Sequence, residues 1–222
     1  MRIIQQSSFQ RVILPTIVLF SLVCSWSAAD AAMVTYSFTG GVSNVSGALL
    51  PTVNMSSPVS GTFTFNNNPA VGGNYPGVVS GLTLNIGGYT ATYAFGANAV
   101  TVLQNTNLGG GILGDRWRLQ TSATSLTSIN GYTPTDFDLN LDHEGSLFAN
   151  TNMQNPPSLA SLTGTRWRLV FDDGINTVRI QGALNNLAAV PLPAAVLLFG
   201  AGLISLVGLG AGGMRNLRET QA

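Results

Sequence analysis

From Val34 to about Leu187 the chain alternates apolar and polar residues with a period of two. MVTYSFT sets Val34, Tyr36 and Phe38 against Thr35, Ser37 and Thr39. VSGTFTFN puts Phe63 and Phe65 on one face and Thr62 and Thr64 on the other. GLTLNI, YTATYAF, AVTVLQ, RWRLQ, FDLNLD, RWRLVFD and TVRIQGAL continue the pattern. Turn formers separate these runs: Asn66-Asn67-Asn68-Pro69, Gly72-Gly73, Gly87-Gly88, Gly109-Gly110-Gly111 and Asp173-Gly174. No helical period occurs before Pro191. Roughly eight to ten short strands must bury one another's apolar faces, so the pattern predicts a single all-β domain over 32–188, a β-sandwich or jelly roll.

The pattern breaks at both ends. At the front, Arg2 and Arg11 precede an apolar core from Val12 to Val23, followed by the small-x-small sequence Ala29-Asp30-Ala31. This order predicts a cleaved signal peptide over 1–31, with the mature chain starting near Ala32 or Met33. The core is only about a dozen residues long and contains Pro15, short for a membrane span. Cys24 is the sole cysteine, and Ser21 and Val23 fit a lipobox badly. Cleavage near Ala31 removes it, leaving no disulfide, thiol nucleophile or sulfur ligand.

At the back, Val190-Pro191-Leu192-Pro193-Ala194 comes first. Two prolines at alternate positions bar helix and hold the chain extended. The uncharged stretch from Ala194 to Gly213 follows. As a helix it measures about 30 Å, the thickness of a bilayer core. Arg215 and Arg218 then act as a stop-transfer signal that stays on the cytoplasmic side. The G-x-x-x-G pair Gly208 and Gly212 lies in so glycine-rich a run that it does not argue for dimerisation.

This order of Pro-x-Pro motif, apolar span and arginines over 189–218 resembles the PEP-CTERM sorting signal of Gram-negative bacteria, most closely the variant written VPLPA. Leu192 stands where the namesake motif has Glu, and Glu219 trails the basic pair. The resemblance implies an exosortase as processing partner and passage through the inner membrane. It also implies delivery to the cell surface or extracellular matrix, often beside exopolysaccharide.

Composition narrows the function further. Charged residues make up 8% of the chain, against roughly 25% in an ordinary soluble domain. None lies between Ala31 and Gly114, and every basic residue is arginine. The middle carries Arg116, Arg118, Arg166, Arg168 and Arg179 against a slight excess of acids. No basic stripe suits a phosphate backbone, which argues against nucleic acid.

Two stretches carry candidate chemistry. Gly114-Asp115-Arg116-Trp117-Arg118-Leu119 is echoed by Gly164-Thr165-Arg166-Trp167-Arg168-Leu169. On strands, Trp and Leu share one face and the arginines the other. Two readings fit: neighbouring strands of one sheet with buried Trp, or an arginine-lined face (Arg116, Arg118, Arg166, Arg168) that grips an anionic polysaccharide. The first is favoured because paired Trp and Leu usually belong to a core.

In Asp136-Phe137-Asp138-Leu139-Asn140-Leu141-Asp142-His143-Glu144, the oxygen-bearing side chains line one strand face. Leu141 and Leu147 stand where a calcium loop needs Gly and Glu, so a solvated strand face is expected, with weak surface calcium binding the alternative.

His143 is the only histidine. No nucleophile elbow, H-E-x-x-H or phosphate loop is present, so no catalytic residue, metal or cofactor is assigned. The expected protein is exported, non-catalytic, sorted by an exosortase and associated with exopolysaccharide at the surface or in the matrix. A carbohydrate-binding module or adhesin is the alternative, and a polysaccharide-active enzyme the third.

Overall fold

The computed structural model describes residues 33–68 and 72–191. The expected signal peptide 1–31, the motif residues Leu192, Pro193 and Ala194, the apolar stretch 194–213, and Arg215 and Arg218 lie outside the described residues. Among the described residues no helix is long and apolar enough to cross a membrane.

The described body is all-β. Its strands are β1 (Met33–Val45), β2 (Pro58–Asn66), β3 (Asn74–Pro76), β4 (Val79–Ile86), β5 (Tyr89–Gly109), β6 (Ile112–Thr124), β7 (Thr133–Glu144), β8 (Gly164–Asp172) and β9 (Thr177–Ala189). Every pairing between them is antiparallel.

The sheet order β5-β4-β2-β1-β9-β8-β7-β6 returns to β5, so eight strands close into a barrel, with β3 added beside β5. The expected two-sheet sandwich is therefore corrected to one sheet closed on itself. The cause lies in β5. Its start pairs with β4, and it pairs with β6 along most of its 21 residues, so both ends of the sheet meet on one strand. In the sequence this strand reads as two, YTATYAF and AVTVLQ, because a register shift between Tyr93 and Asn98 breaks the alternation.

The strands are steeply staggered. Starting from Val45, the paired residues run through Ile180, Leu169, Phe137, Thr121 and Asn98. Asn98 accepts the Val79 N–H, Val79 pairs with Phe65, and the path re-enters β1 at Val34 rather than Val45. Such an offset requires strongly tilted strands.

Closure turns the period of two into inside and outside. Phe38, Phe63, Phe65, Trp117, Leu119, Phe137, Leu139, Trp167, Leu169 and Phe171 are all buried. Phe63 meets Trp117 at a ring separation of 6.1 Å, and Phe38 meets Phe137 at 6.2 Å. Each such side chain contributes about 1.5–3 kcal/mol through burial. The interior is a packed core.

Loops cover both mouths. At one, the β7–β8 connection buries Phe148 and Met153. It is pinned by Trp117 Nε1 donating to Gln154 O at 3.0 Å and Tyr75 Oη donating to Thr151 O at 2.7 Å. The buried Asp115 accepts N–H groups from Leu147, Phe148 and Asn105. Burial pushes the Asp115 carboxyl up, but these three donors and the nearby His143 outweigh it and hold it below the usual range. At the other mouth, Leu49, Val53 and Ile129 seal the core. There Asn130 Nδ2 donates to Ala48 O at 2.8 Å and Leu50 O at 3.2 Å.

Candidate functional site

The two RWRL segments are β6 and β8, and they are not neighbours. The acid-bearing β7 lies between them. Inward Trp and Leu force the arginines of both strands onto the outer wall, where β7 presents Asp136, Asp138, Asn140 and Asp142. Three cross-strand rows result. Arg116 faces Asp142, Arg118 faces Asn140 and then Arg166, and Gln120 faces Asp138 and then Arg168.

The outer rows are closed by ion pairs. Arg116 holds Asp142 in a fork, Nε to Oδ1 at 2.7 Å and Nη2 to Oδ2 at 2.9 Å. The hydrogen bond to Asp142 raises the Arg116 pKa above its ordinary value. Arg168 donates through Nε to Asp138 Oδ2 at 2.6 Å, and its Nη2 approaches the same oxygen. The Asp138 side chain is only 4% exposed. Thus the expected solvated acidic face is corrected at its centre: Asp138 and Asn140 are buried on the outside of the barrel. Long arginine stems on both flanking strands explain this, since they lie across shorter neighbours.

The middle row is open. Arg118 has no hydrogen-bonded carboxylate, and its Nε is buried without a partner. Arg166 is 49% exposed and reaches Asp138 Oδ1 only at 3.9 Å, beyond hydrogen-bond range. Asn140 Oδ1 between them also lacks a partner. Burial lowers the Arg118 pKa; Asp138 opposes this, while Arg168, Arg116 and Arg166 add to it. Arginine stays protonated regardless, so the shift marks an uncompensated cation rather than a titration.

One row further on, a shallow groove of about 320 Å³ opens on the same wall, with Asn98, Gln120, Asp136, Asp138, Arg168 and Val170 among its lining residues. A second depression on the far side of Arg168 and Val170 includes Asn44, Ser46 and Arg179. The wall offers charge of both signs and amide groups over an open surface. Among the described residues, no group of three His, Cys, Asp or Glu side chains is placed to hold a metal ion.

The structure thus brings Arg116, Arg118, Arg166 and Arg168 onto one wall. Asn140, read in the sequence as one more oxygen-bearing side chain of the β7 face, is the residue whose place between two arginines sequence reasoning missed. Its signal was present: the run of alternate acids on β7 breaks there.

Of the expected sorting motif, Val190 and Pro191 are described and follow directly on β9. The Val190 N–H donates to Thr35 O at 2.8 Å, near the start of β1.

No family model matches this chain. No characterised protein matches it at a significant level. No solved structure does so either.

Proposed function

We propose that this chain is an exported, non-catalytic surface or matrix protein, handed to an exosortase by its Val190-Pro191-Leu192-Pro193-Ala194 signal. The observation that carries the reading is the absence of any spacer: β9 runs to Ala189, and the motif begins at the next residue. Pro191 has no N–H to extend the ladder, so pairing with β1 ends at Val190, the first residue of the motif. Met33, at the expected signal-peptide junction, opens the neighbouring strand. Met33 and Val190 therefore share one pole of the barrel, and on this reading the precursor stands with that pole toward the inner membrane.

Support for a non-catalytic body comes from how five of the seven acids between 33 and 191 are used. Asp115 is engaged by three backbone N–H groups, and Asp138 and Asp142 by arginines. Asp172 and Asp173 accept N–H groups within their own turn. His143 Nδ1 lies 2.6 Å from Ser161 O.

Mass spectrometry of the C-terminus of the surface-fraction protein tests the sorting. A mature end within or beside 190–194 is expected; an intact tail ending at Ala222 on that fraction overturns it.

A second reading gives the barrel a task. The open row Arg118–Asn140–Arg166 and the adjoining groove favour a wall that binds polysaccharide, and retention of the protein on an exopolysaccharide matrix tests it.

A further inference from the structure

We infer that Arg118 and Arg166, flanking Asn140, form an anion subsite that receives the carboxylate of an acidic polysaccharide; this rests on the glycan-binding reading above.

The argument starts from the three rows. In two of them a carboxylate on β7 stands against an arginine and consumes it. In the row between, the β7 residue is Asn140, isosteric with Asp but neutral, and it faces an arginine on each side. Two strand spacings separate Arg118 from Arg166, about 10 Å between backbones, a gap that long side chains bridge toward one shared group. Four guanidiniums in the three rows meet only the carboxylates of Asp138 and Asp142. The surplus positive charge sits in the row that lacks an acid.

A planar carboxylate matches the guanidinium fork, so this row can hold one in charge-assisted hydrogen bonds. The surroundings choose the carrier. Asp136 and Asp138 line the groove one row away and repel a polymer charged at every step, such as nucleic acid. They tolerate a chain whose charges are spaced by uncharged hydroxyl-rich rings. Asn98, Gln120 and the two aspartates supply the mixture of donors and acceptors that hydroxyl groups need. The groove is open and shallow, which suits a linear chain laid along the wall.

The test uses the full chain in nonionic detergent with three probes: hyaluronate, in which an uncharged N-acetylhexosamine separates successive carboxylates, its fully methyl-esterified form and inorganic sulfate. Binding to hyaluronate is expected, with the ester bound at least about tenfold more weakly, as loss of a charge-assisted contact implies. Arg166→Gln and Asn140→Asp should each weaken hyaluronate binding by about tenfold. Asn140→Asp does so by supplying the missing acid from within, and its melting temperature should equal or exceed the parent's.

If both polymers bind alike, or Asn140→Asp binds as the parent does, the subsite is wrong while glycan binding stands. If neither polymer binds, both readings fall. Binding of sulfate without either polymer refutes the polysaccharide assignment.

Discussion

The backbone N–H of Phe148 donates to the Asp115 carboxylate at 2.8 Å, tying the long β7–β8 connection to the first turn-side residues of β6. Leu147 and Asn105 donate to the same side chain at 2.7 and 3.0 Å. One buried charge therefore organises one mouth of the barrel.

Because the folded Asp115 pKa lies below its unfolded value, the carboxylate stabilises the fold above the unfolded pKa. That contribution drains away as pH falls through the folded pKa. Protection of the Leu147 and Phe148 amides, taken relative to their intrinsic exchange rates, should be high at neutral pH and fall as the pH drops below the ordinary carboxylate range, before the β-ladder opens. Asp115→Asn, which replaces an acceptor of three N–H groups with a group that also donates, should cost about 2–4 kcal/mol at pH 7 and flatten the acid limb of the stability profile. An unchanged acid limb would refute the assignment.

The two echoed tryptophans should respond differently to the same change. Trp117 Nε1 donates to Gln154 O at 3.0 Å, whereas Trp167 Nε1 is buried with no partner. Trp117→Phe should cost about 2–3 kcal/mol, since it loses volume and strands a carbonyl. Trp167→Phe removes a donor that was already unsatisfied and should cost roughly 1 kcal/mol less than Trp117→Phe. Urea denaturation midpoints of the two variants give the order directly.

Gly182 allows β1, β8 and β9 to come together under Trp167. A Cβ there would collide with the Gly41 carbonyl and lie 2.9 Å from Trp167 Cζ2. Gly182→Ala should destabilise by about 3 kcal/mol or more. Gly41→Ala, on the opposing strand, meets nothing within 4 Å and should change stability by less than about 0.5 kcal/mol. Thermal melting of both variants checks the contrast.

Removing Arg168 leaves the Asp138 carboxylate buried without a hydrogen-bonded arginine, Arg166 standing 3.9 Å away. Arg168→Ala should therefore cost about 2–4 kcal/mol, and adding Asp138→Asn should restore part of it. Arg166→Ala, whose side chain is half exposed and makes no hydrogen bond to Asp138, should cost under about 1 kcal/mol. Equal losses at Arg166 and Arg168 would contradict the row description.

Much of this was legible from local pattern. Phe63 and Phe65 against Thr62 and Thr64, and Trp117 and Leu119 against Arg116 and Arg118, separate core from surface at any position in any sheet, because alternation is a property of the extended backbone itself. The candidate ligand face was named by its arginines for the same reason. Its central feature was not. Nothing local in β6 or β8 indicates that β7 runs between them, or that Asn140 meets an arginine on either side. Asp138 and Asn140 were expected in solvent because the sequence carries no record of which neighbouring stems lie over them.

The chain's own order of residues determined the strand-rich class and the sidedness of each strand, and it is the sole ground for the targeting segments proposed at the two ends. Each rests on interactions within a few residues or on partition of a segment between water and another phase. Tertiary structure alone decided that one sheet closes into a barrel instead of dividing into two. It also decided that the Asp115 carboxylate holds a loop over one mouth and that two arginines share a row without an acid. These depend on register and strand order, set by contacts between residues far apart in sequence, where β5 must pair with both ends of the sheet at once.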